Sequence, residues 1–283
     1  MISDYQEAYA VETMCRALDV SVSGYYAWRT RTPSQHELDD AKLLAEIRII
    51  HQASRGLYGS PRIHAVLEQA GIQVSRKRVA RLMREAGIHS QRHVRRRIRT
   101  TDSDHQRPVA PNLLDRDFAA DAPNQKWVGD ILGIWTGEGW LYVATLLDTF
   151  SRRIVGLAMR EFRDEALVET ARRMALGQRI LAGPLIHHTD RGSQYTADDY
   201  LAVLKGCGVT VSMSGKGDPY DNAMAESFFS TLRAECVELQ RFATRREARL
   251  AVFEYIMVFY NRQRLHSALG YCSPVDFEVA HSQ

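Results

Sequence analysis

Cysteine, proline and long apolar runs are all scarce in this chain. Its four cysteines, Cys15, Cys207, Cys236 and Cys272, are widely scattered and form no C-x-x-C pair. That spacing indicates neither a thiolate zinc site nor a disulfide framework, and free thiols in a reducing cytoplasm are expected. No stretch approaches the roughly 18 consecutive apolar residues that a membrane helix needs. The start, Met1-Ile2-Ser3-Asp4-Tyr5-Gln6-Glu7, shows neither the basic nor the apolar region of a secretory signal. A cytoplasmic protein without a membrane partner is the expectation. Of only eight prolines, Pro108, Pro111 and Pro123 fall within residues 100–123, a stretch without hydrophobic period that reads as a domain linker. Internal repeats and low-complexity tracts are absent as well.

Charge is present but unevenly spread. The 283 residues carry a formal net charge of +3, with 45% hydrophobic and 25% charged residues, ordinary values for a globular protein. Residues 1–110 hold 18 Lys and Arg against 12 Asp and Glu, whereas residues 111–283 hold 19 against 22. Within 62–99 there are 11 basic residues and only two acids, Glu68 and Glu85. The front is therefore built to meet a polyanion, and the acidic back half owes its function to something other than bulk attraction.

The front half has helical patterning. Residues 12–28 read as two short helices about a turn at Asp19-Val20, and a helix-turn-helix and a plain helical hairpin burying Tyr25, Tyr26 and Trp28 fit equally well. Residues 38–53 carry Leu43, Ile47 and Ile50 at helical spacing. After the turn-rich Gly56-Leu57-Tyr58-Gly59-Ser60-Pro61, Ser60 is suited to cap a helix over Pro61–Gln69 and Ser75 a second one ending at Gly87. That second helix points Val79, Leu82 and Met83 inward and leaves Arg76, Lys77, Arg78, Arg81 and Arg84 on its surface. Such a pair fits docking on DNA, with a merely solvated basic face as the plainer alternative. Arg92, Arg95, Arg96, Arg97 and Arg99 follow without periodicity, as a phosphate clamp or exposed arm would.

From Lys126 the period changes to that of strands. Lys126–Trp135, Trp140–Leu147 and Arg153–Met159 are apolar and separated by short turns, which favours an antiparallel meander. A helix over Asp164–Leu181, a strand at Leu185–His188, a helix over Thr196–Cys207, a strand at Val209–Ser212 and a helix over Tyr220–Glu235 come next. This describes a mixed α/β sheet with helices on its faces. A last helix opens on a capping box of Thr244 and Glu247 and repeats Leu250, Phe253, Met257 and Tyr260 along one face.

Three acids stand out. Asp130 lies inside an apolar strand, Asp190 just past a short strand, and Glu226 one turn after Asn222 on a helix whose buried stripe is Ala225, Phe228, Phe229 and Leu232. Singly, each has an ordinary reading, a turn aspartate or an exposed helix glutamate. Together, carboxylates at strand ends repel unless a cation joins them, and oxygen-only ligand sets suit Mg²⁺ or Mn²⁺. Two such ions about 3.5–4 Å apart can activate a nucleophile and stabilise the leaving oxygen of a phosphodiester.

Five ordered segments then carry a resemblance: NQKWVGDI (124–131), GWLYVATLLDTFSRRIVG (139–156), HTDRGSQY (188–195), SGKGDPYDNAMAESFF (214–229) and YNRQRLHSALGY (260–271), with 35 residues between Asp190 and Glu226. The chain resembles the second-frame (orfB-type) transposases of bacterial insertion sequences, members of the retroviral-integrase-like DDE superfamily; GLYGSPRIHAVL (56–67) resembles their front region more loosely. The resemblance implies an RNase H-like catalytic core over 124–283, behind a helical region (1–55), a basic helix-turn-helix-like region (56–99) and the linker (100–123). It implies that Asp130, Asp190 and Glu226 hold two Mg²⁺ or Mn²⁺ ions for DNA cleavage and strand transfer. His188, Asn222 and Lys216 would position metal ligands or phosphates, while Arg262, Arg264 and His266 would either touch DNA or hold the tail in place. Implied partners are double-stranded DNA (element ends and target), a first-frame protein or frameshift fusion, and further copies of the chain. A catalytically silent DNA-binding regulator and an RNase H-type nuclease are the alternatives. The chain departs from the family where Gly129 replaces a frequent Thr and Leu132-Gly133 a common Thr-Tyr pair, changes that touch strand packing and leave the acid in place. It also lacks the His₂Cys₂ zinc module of retroviral integrases.

Overall fold

The computed structural model describes residues 2–91, 110–196, 198–215 and 219–281. Five strands, β1 (Lys126–Thr136), β2 (Gly139–Asp148), β3 (Ile154–Arg160), β4 (Leu185–Thr189) and β5 (Val209–Met213), form one sheet in the order β3-β2-β1-β4-β5. The first three pair as an antiparallel meander, and β4 and β5 add in parallel on the other side of β1. This is the RNase H-like arrangement of a mixed five-stranded sheet with flanking helices.

Short helices α1 (Ile2–Tyr5), α2 (Val11–Ala17) and α3 (Val22–Thr30) begin the chain, followed by α4 (Gln35–Ala53), α5 (Ser60–Gln69) and α6 (Arg76–Glu85). Behind and between the strands come α7 (Glu165–Gln178), α8 (Asp198–Gly206), α9 (Ala223–Leu232), α10 (Arg245–Glu254) and α11 (Pro274–Ala280). No described helix is long and apolar enough to cross a membrane. In α2 and α3 only Cys15 and Tyr25 are buried; Tyr26 and Trp28 stay exposed, so a hairpin burying all three aromatics does not form. Gly59, not Ser60, stands at the N-cap of α5, with proline inside its first turn.

Alternation along β1 divides the molecule into two layers. Val128, Leu132 and Ile134 join the cluster that contains Phe228, Phe229, Val252 and Ile256 of the later helices. Trp127 joins the opposite cluster, with Leu167 and Val168 of α7 and Tyr200 and Leu204 of α8. From Ala110 on, the stretch expected to be a linker is packed: Leu114 is buried, Met213 N donates to Pro111 O at 3.3 Å, and Ser212 Oγ accepts from Leu113 N at 2.9 Å. An edge strand is covered in this way.

The last helix departs from its expected face. Leu250 and Phe253 are exposed, whereas Ala248, Val252, Tyr255, Ile256 and Phe259 are buried. The cause is that α10 is apolar on two faces and runs on into a wide π turn over Tyr255–Tyr260, which rotates Tyr260 inward. A second π turn, Arg233–Val237, continues α9.

Front and tail are joined through the turn-rich link. Tyr58 Oη donates to Gln263 O at 3.1 Å and accepts from Leu265 N at 2.8 Å, and Arg62 Nε donates to Leu265 O at 2.9 Å. Beneath lies a buried ion pair in which Arg264 donates twice to Glu235, both at 2.7 Å, while Tyr255 Oη donates at 2.8 Å. Burial works to raise the Glu235 carboxyl, but the hydrogen bonds and charge of Arg264 outweigh it and hold it below the usual carboxylate range. Replacing one member of such a pair strands the other charge in a dry interior. Glu235→Ala is therefore expected to cost about 3–5 kcal/mol in urea unfolding. Glu254→Ala, which removes the exposed partner of Arg55, should cost less than about 1 kcal/mol. Equal losses would show that the buried pair has no special role.

Candidate active site

The same alternation that buries Val128 and Leu132 puts Asp130 on the face covered by α9. Asp130 pairs with Thr145 of β2. On its other side the parallel ladder with β4 ends at Gly129 and Thr189, so Asp190 leaves the sheet beside Asp130. A tight turn follows, in which Asp190 Oδ1 accepts from Gly192 N at 3.0 Å. A Cβ at 192 would stand 2.8 Å from Gln194 Oε1 and 3.0 Å from Asp190 Oδ1, so a side chain there would crowd the Asp190 carboxyl.

The third acid is brought in by a side chain that does not cap its helix. Asn222 occupies the N-cap of α9 without a capping bond; its Nδ2 reaches across to Gly129 O at 3.1 Å. The helix start is thus tied to the residue before Asp130, and Glu226 follows one turn later. Ala225, Phe228, Phe229 and Leu232 form the buried stripe as the spacing requires. Asp221 holds the preceding loop, accepting from Gly215 N at 2.8 Å and Asn112 Nδ2 at 3.0 Å, with Arg116 Nε at 3.2 Å.

Asp130 retains some surface, but the surrounding protein strips water from its carboxyl. That loss, then the charge of Asp190 and that of Glu226, push it up to about 8, against a hydrogen bond from Ile131 N and the charge of Arg163. The three acids therefore share one electrostatic environment. Among the described residues, no three His, Cys, Asp or Glu side chains are gathered closely enough to hold a metal ion. Asn222 Oδ1 is buried without a hydrogen-bond partner among the described residues, as is Thr189 Oγ1, whose side chain lies with Gly129 on the opposite face of the sheet.

Other expected site residues lie in varied surroundings. His188 is fully buried, its Nδ1 2.8 Å from Ser212 Oγ and its Nε2 3.3 Å from Ser214 Oγ, and burial pushes its ring down to about 4. It thereby joins β4, β5 and the loop leading to Asp221. Arg264 and His266 are interior, the latter edge-on to Tyr260, whereas Arg262 is exposed. On α6, Arg76, Lys77 and Arg84 face solvent. Arg78 and Arg81 are engaged with Asp40 of α4 at 2.7 and 2.6 Å. Arg95, Arg96, Arg97 and Lys216 lie outside the described residues.

Two neighbours of the acids were not singled out from the sequence. Arg163, in the loop before α7, bears on Asp130 and on Tyr195, and no motif marks it. Tyr195 is buried, and burial followed by the charges of Asp190 and Asp130 holds its hydroxyl protonated. It closes the HTDRGSQY segment and was legible there. The two departures in β1 have local compensation. A Cβ at Gly129 would meet Leu146, His187 and Thr189 at 3.0–3.2 Å, and one at Gly133 would meet the Trp140 ring at 3.2 Å. Both glycines make room for bulkier neighbours.

Comparison with known proteins places these features. Residues 37–97 match an HTH-like domain, and residues 120–219 and 207–274 match integrase core domains. An integrase core behind a helix-turn-helix-like module defines the class. A 31 kDa insertion element IS600 protein of Shigella sonnei is 46% identical over 272 residues, 95% of this chain and 99% of its own length. The transposase InsF of insertion sequence IS3A from Escherichia coli K12 is 40% identical, covering 98% of this chain and 96% of its own. The IS904 transposase of Lactococcus lactis is 41% identical over 89% of this chain and 99% of its own. The chain belongs to this family of insertion-sequence transposases. Among solved structures, a simian T-cell lymphotropic virus intasome in complex with a PP2A regulatory subunit superposes with a TM-score of 0.48 at 12% identity, covering 82% of this chain and 74% of that one. The HTLV-2 integrase catalytic core with magnesium gives 0.38 at 15%, over 56% and 96%.

The buried histidines set a pH dependence. Burial holds His187 down to about 3 and His266 to about 2. In the unfolded chain each ring takes a proton near pH 6.5. The unfolded state thus binds more protons below that pH, and stability falls as pH drops from about 6.5 towards about 3. Each histidine contributes a slope of up to about 1.4 kcal/mol per pH unit. Asp130, raised to about 8, contributes in the opposite sense, so the test uses an Asp130→Asn background: urea midpoints measured between about pH 7 and about pH 5 should decline accordingly, and a flat profile would contradict neutral buried rings.

Proposed function

We propose that this transposase cleaves and joins DNA strands at a site formed by Asp130, Asp190 and Glu226. The observation that carries this reading is their convergence from three elements: Thr189 paired to Gly129 puts Asp190 beside Asp130, and Asn222 bonded to Gly129 O brings in the helix of Glu226. The donor set fits a hard divalent cation, because it is all oxygen, and burial followed by the charges of Asp190 and Glu226 already raises Asp130. The orphaned Asn222 oxygen, on the residue that ties α9 to Gly129, adds a polar position there. Asp130, Asp190 and Glu226 would hold Mg²⁺ or Mn²⁺, two ions in the reading favoured here. When bound, such ions supply a metal-activated nucleophile and charge stabilisation for in-line displacement at phosphorus.

The chain's own residues do the rest. The carboxylates fix where the reacting phosphodiester sits, and Asn222 keeps α9 in register with β1. His188 and Asp221 keep the intervening loop in place from the interior. No covalent protein–DNA intermediate is required. Hydrolysis at an element end breaks a P–O3′ bond and frees a 3′-hydroxyl; that hydroxyl then attacks a second phosphodiester, forming a new P–O3′ bond as the attacked strand's own 3′-oxygen leaves as a hydroxyl. Arg76, Lys77 and Arg84 on the open face of α6 suit duplex phosphates, with Arg78 and Arg81 oriented by Asp40. On sequence grounds Arg95–Arg97 and Lys216 are further contacts to DNA, and Arg262 a supporting one. The accompanying partners are double-stranded DNA, further copies of the chain on that DNA, and a first-frame protein or frameshift fusion.

The test is full-length protein with Mg²⁺ and duplexes bearing the inverted repeats that flank the gene. Wild type should nick and join strands. Asp190→Asn should lose both steps while still binding the duplex, and Asn222→Ala should lower the rate about 10–100-fold, as loss of a residue that orients a metal ligand does. Full activity in Asp190→Asn would remove the three-acid assignment. Cleavage without joining would assign the site to a hydrolytic nuclease.

A further inference from the structure

A polar cavity lies beside the helix that carries Glu226. It measures about 200 Å³ and is lined by Ser227 and Thr231 of α9, Arg152 of the β2–β3 turn, Arg62 of α5, and Arg264 and His266 of the tail. A water takes roughly 30 Å³, so the space admits a tetrahedral anion with room for solvent.

Its charge is unbalanced. Arg264 is committed to Glu235, and Arg62 stands 3.9 Å from the same carboxylate. Arg152 has no hydrogen bond or carboxylate partner among the described residues. Arg152 thus adds a third guanidinium to a cavity that Arg62 and Arg264 also line. Burial first, then Arg264, Arg152 and Arg62, keep His266 neutral, so the ring offers a neutral polar wall and adds no charge.

Arg152 is also held against its backbone preference. Its φ is 61°, in the left-handed region where glycine and asparagine are at ease and a long side chain is not. Strained positions of this kind are over-represented where a side chain serves a ligand. Guanidiniums with hydroxyl donors are the usual means of holding phosphate oxygens.

We propose that this cavity receives a backbone phosphate of bound DNA, gripped by Arg152 and Arg62 with Ser227 and Thr231 as hydroxyl donors. The proposal rests on the reading that the chain acts on DNA. Ser227 follows Glu226 directly, so a strand held here is held by the same helix that contributes an acid to the active site. Arg62 belongs to the front region, so the grip would tie the DNA-docking half to the catalytic half.

Binding of full-length protein to a random-sequence duplex, with EDTA present so that no cleavage intervenes, tests this. Each neutralised phosphate adds about 0.9 to the slope of log affinity against log salt. Arg152→Asn suits the left-handed backbone, so its fold is secure. It should flatten the slope by about 0.9 without lowering the melting temperature, and Arg152→Lys should restore it. An unchanged slope in Arg152→Asn, with strand transfer intact in wild type, overturns the phosphate site alone. Failure of wild type to bind any duplex overturns it together with the DNA reading. Inorganic phosphate serves as the second probe. If it raises the melting temperature of wild type and not of Arg152→Asn while the DNA slope is unchanged, the cavity takes free phosphate and the assignment to DNA is overturned.

Discussion

The parallel ladder between β1 and β4 is the constraint on which the candidate site depends, because of where it stops. It runs from Lys126 only to Gly129, one residue short of the first acid. Had β4 continued, backbone would occupy the space beside Asp130. Because it ends there, Asp190 turns out of the sheet at that point, and Asn222 carries the start of α9 to Gly129 O. A strand end, a turn and a helix start meet within one residue of each other.

Two acids in this molecule show what surroundings do to the same chemistry. Glu235 is buried with Arg264 and Tyr255, its oxygens satisfied and its proton held off. Asp130 is surrounded by protein and faces two further acids, and holds its proton to about pH 8. The first arrangement gives definition to a packed interior, since a satisfied pair tolerates no alternative partner. The second is costly when left alone, and is reasonable only where a cation or substrate joins it. One continuous helical segment links the two: α9 carries Glu226, whose charge bears on Asp130, and the π turn after it carries Glu235.

Much of this was legible in the sequence, and the reasons can be given residue by residue. The meander showed in the period of Lys126–Trp135 and Trp140–Leu147, and the stripe of Ala225, Phe228, Phe229 and Leu232 gave the burial of α9. The Thr244–Glu247 capping box fell where a helix starts. Local signals were sufficient in each case. Features that depend on distant partners were not legible. The exposure of Leu250 and Phe253 follows from an apolar second face and a π turn with no sequence mark. The packing of Leu114 depends on Ser212, and the role of Arg163 depends on the loop before α7 bringing its charge to bear on Asp130. The Asn222 side chain has a helix-capping residue's identity and does something else, which no spacing rule anticipates. The candidate acids were recognisable because their segments resemble a family, and the geometry supplied what the resemblance lacked, the means by which they are brought together.

The contact of Tyr58 and Arg62 with Gln263 and Leu265 has a bearing on how such chains can change over time. Segments some two hundred positions apart in the gene are adjacent surfaces in the product, so neither can drift freely without the other. Exchange of front halves between related elements would deliver a mismatched seam unless the tail travelled with it. The unit of inheritance is therefore the two ends as a pair, with the catalytic sheet as the passenger between them.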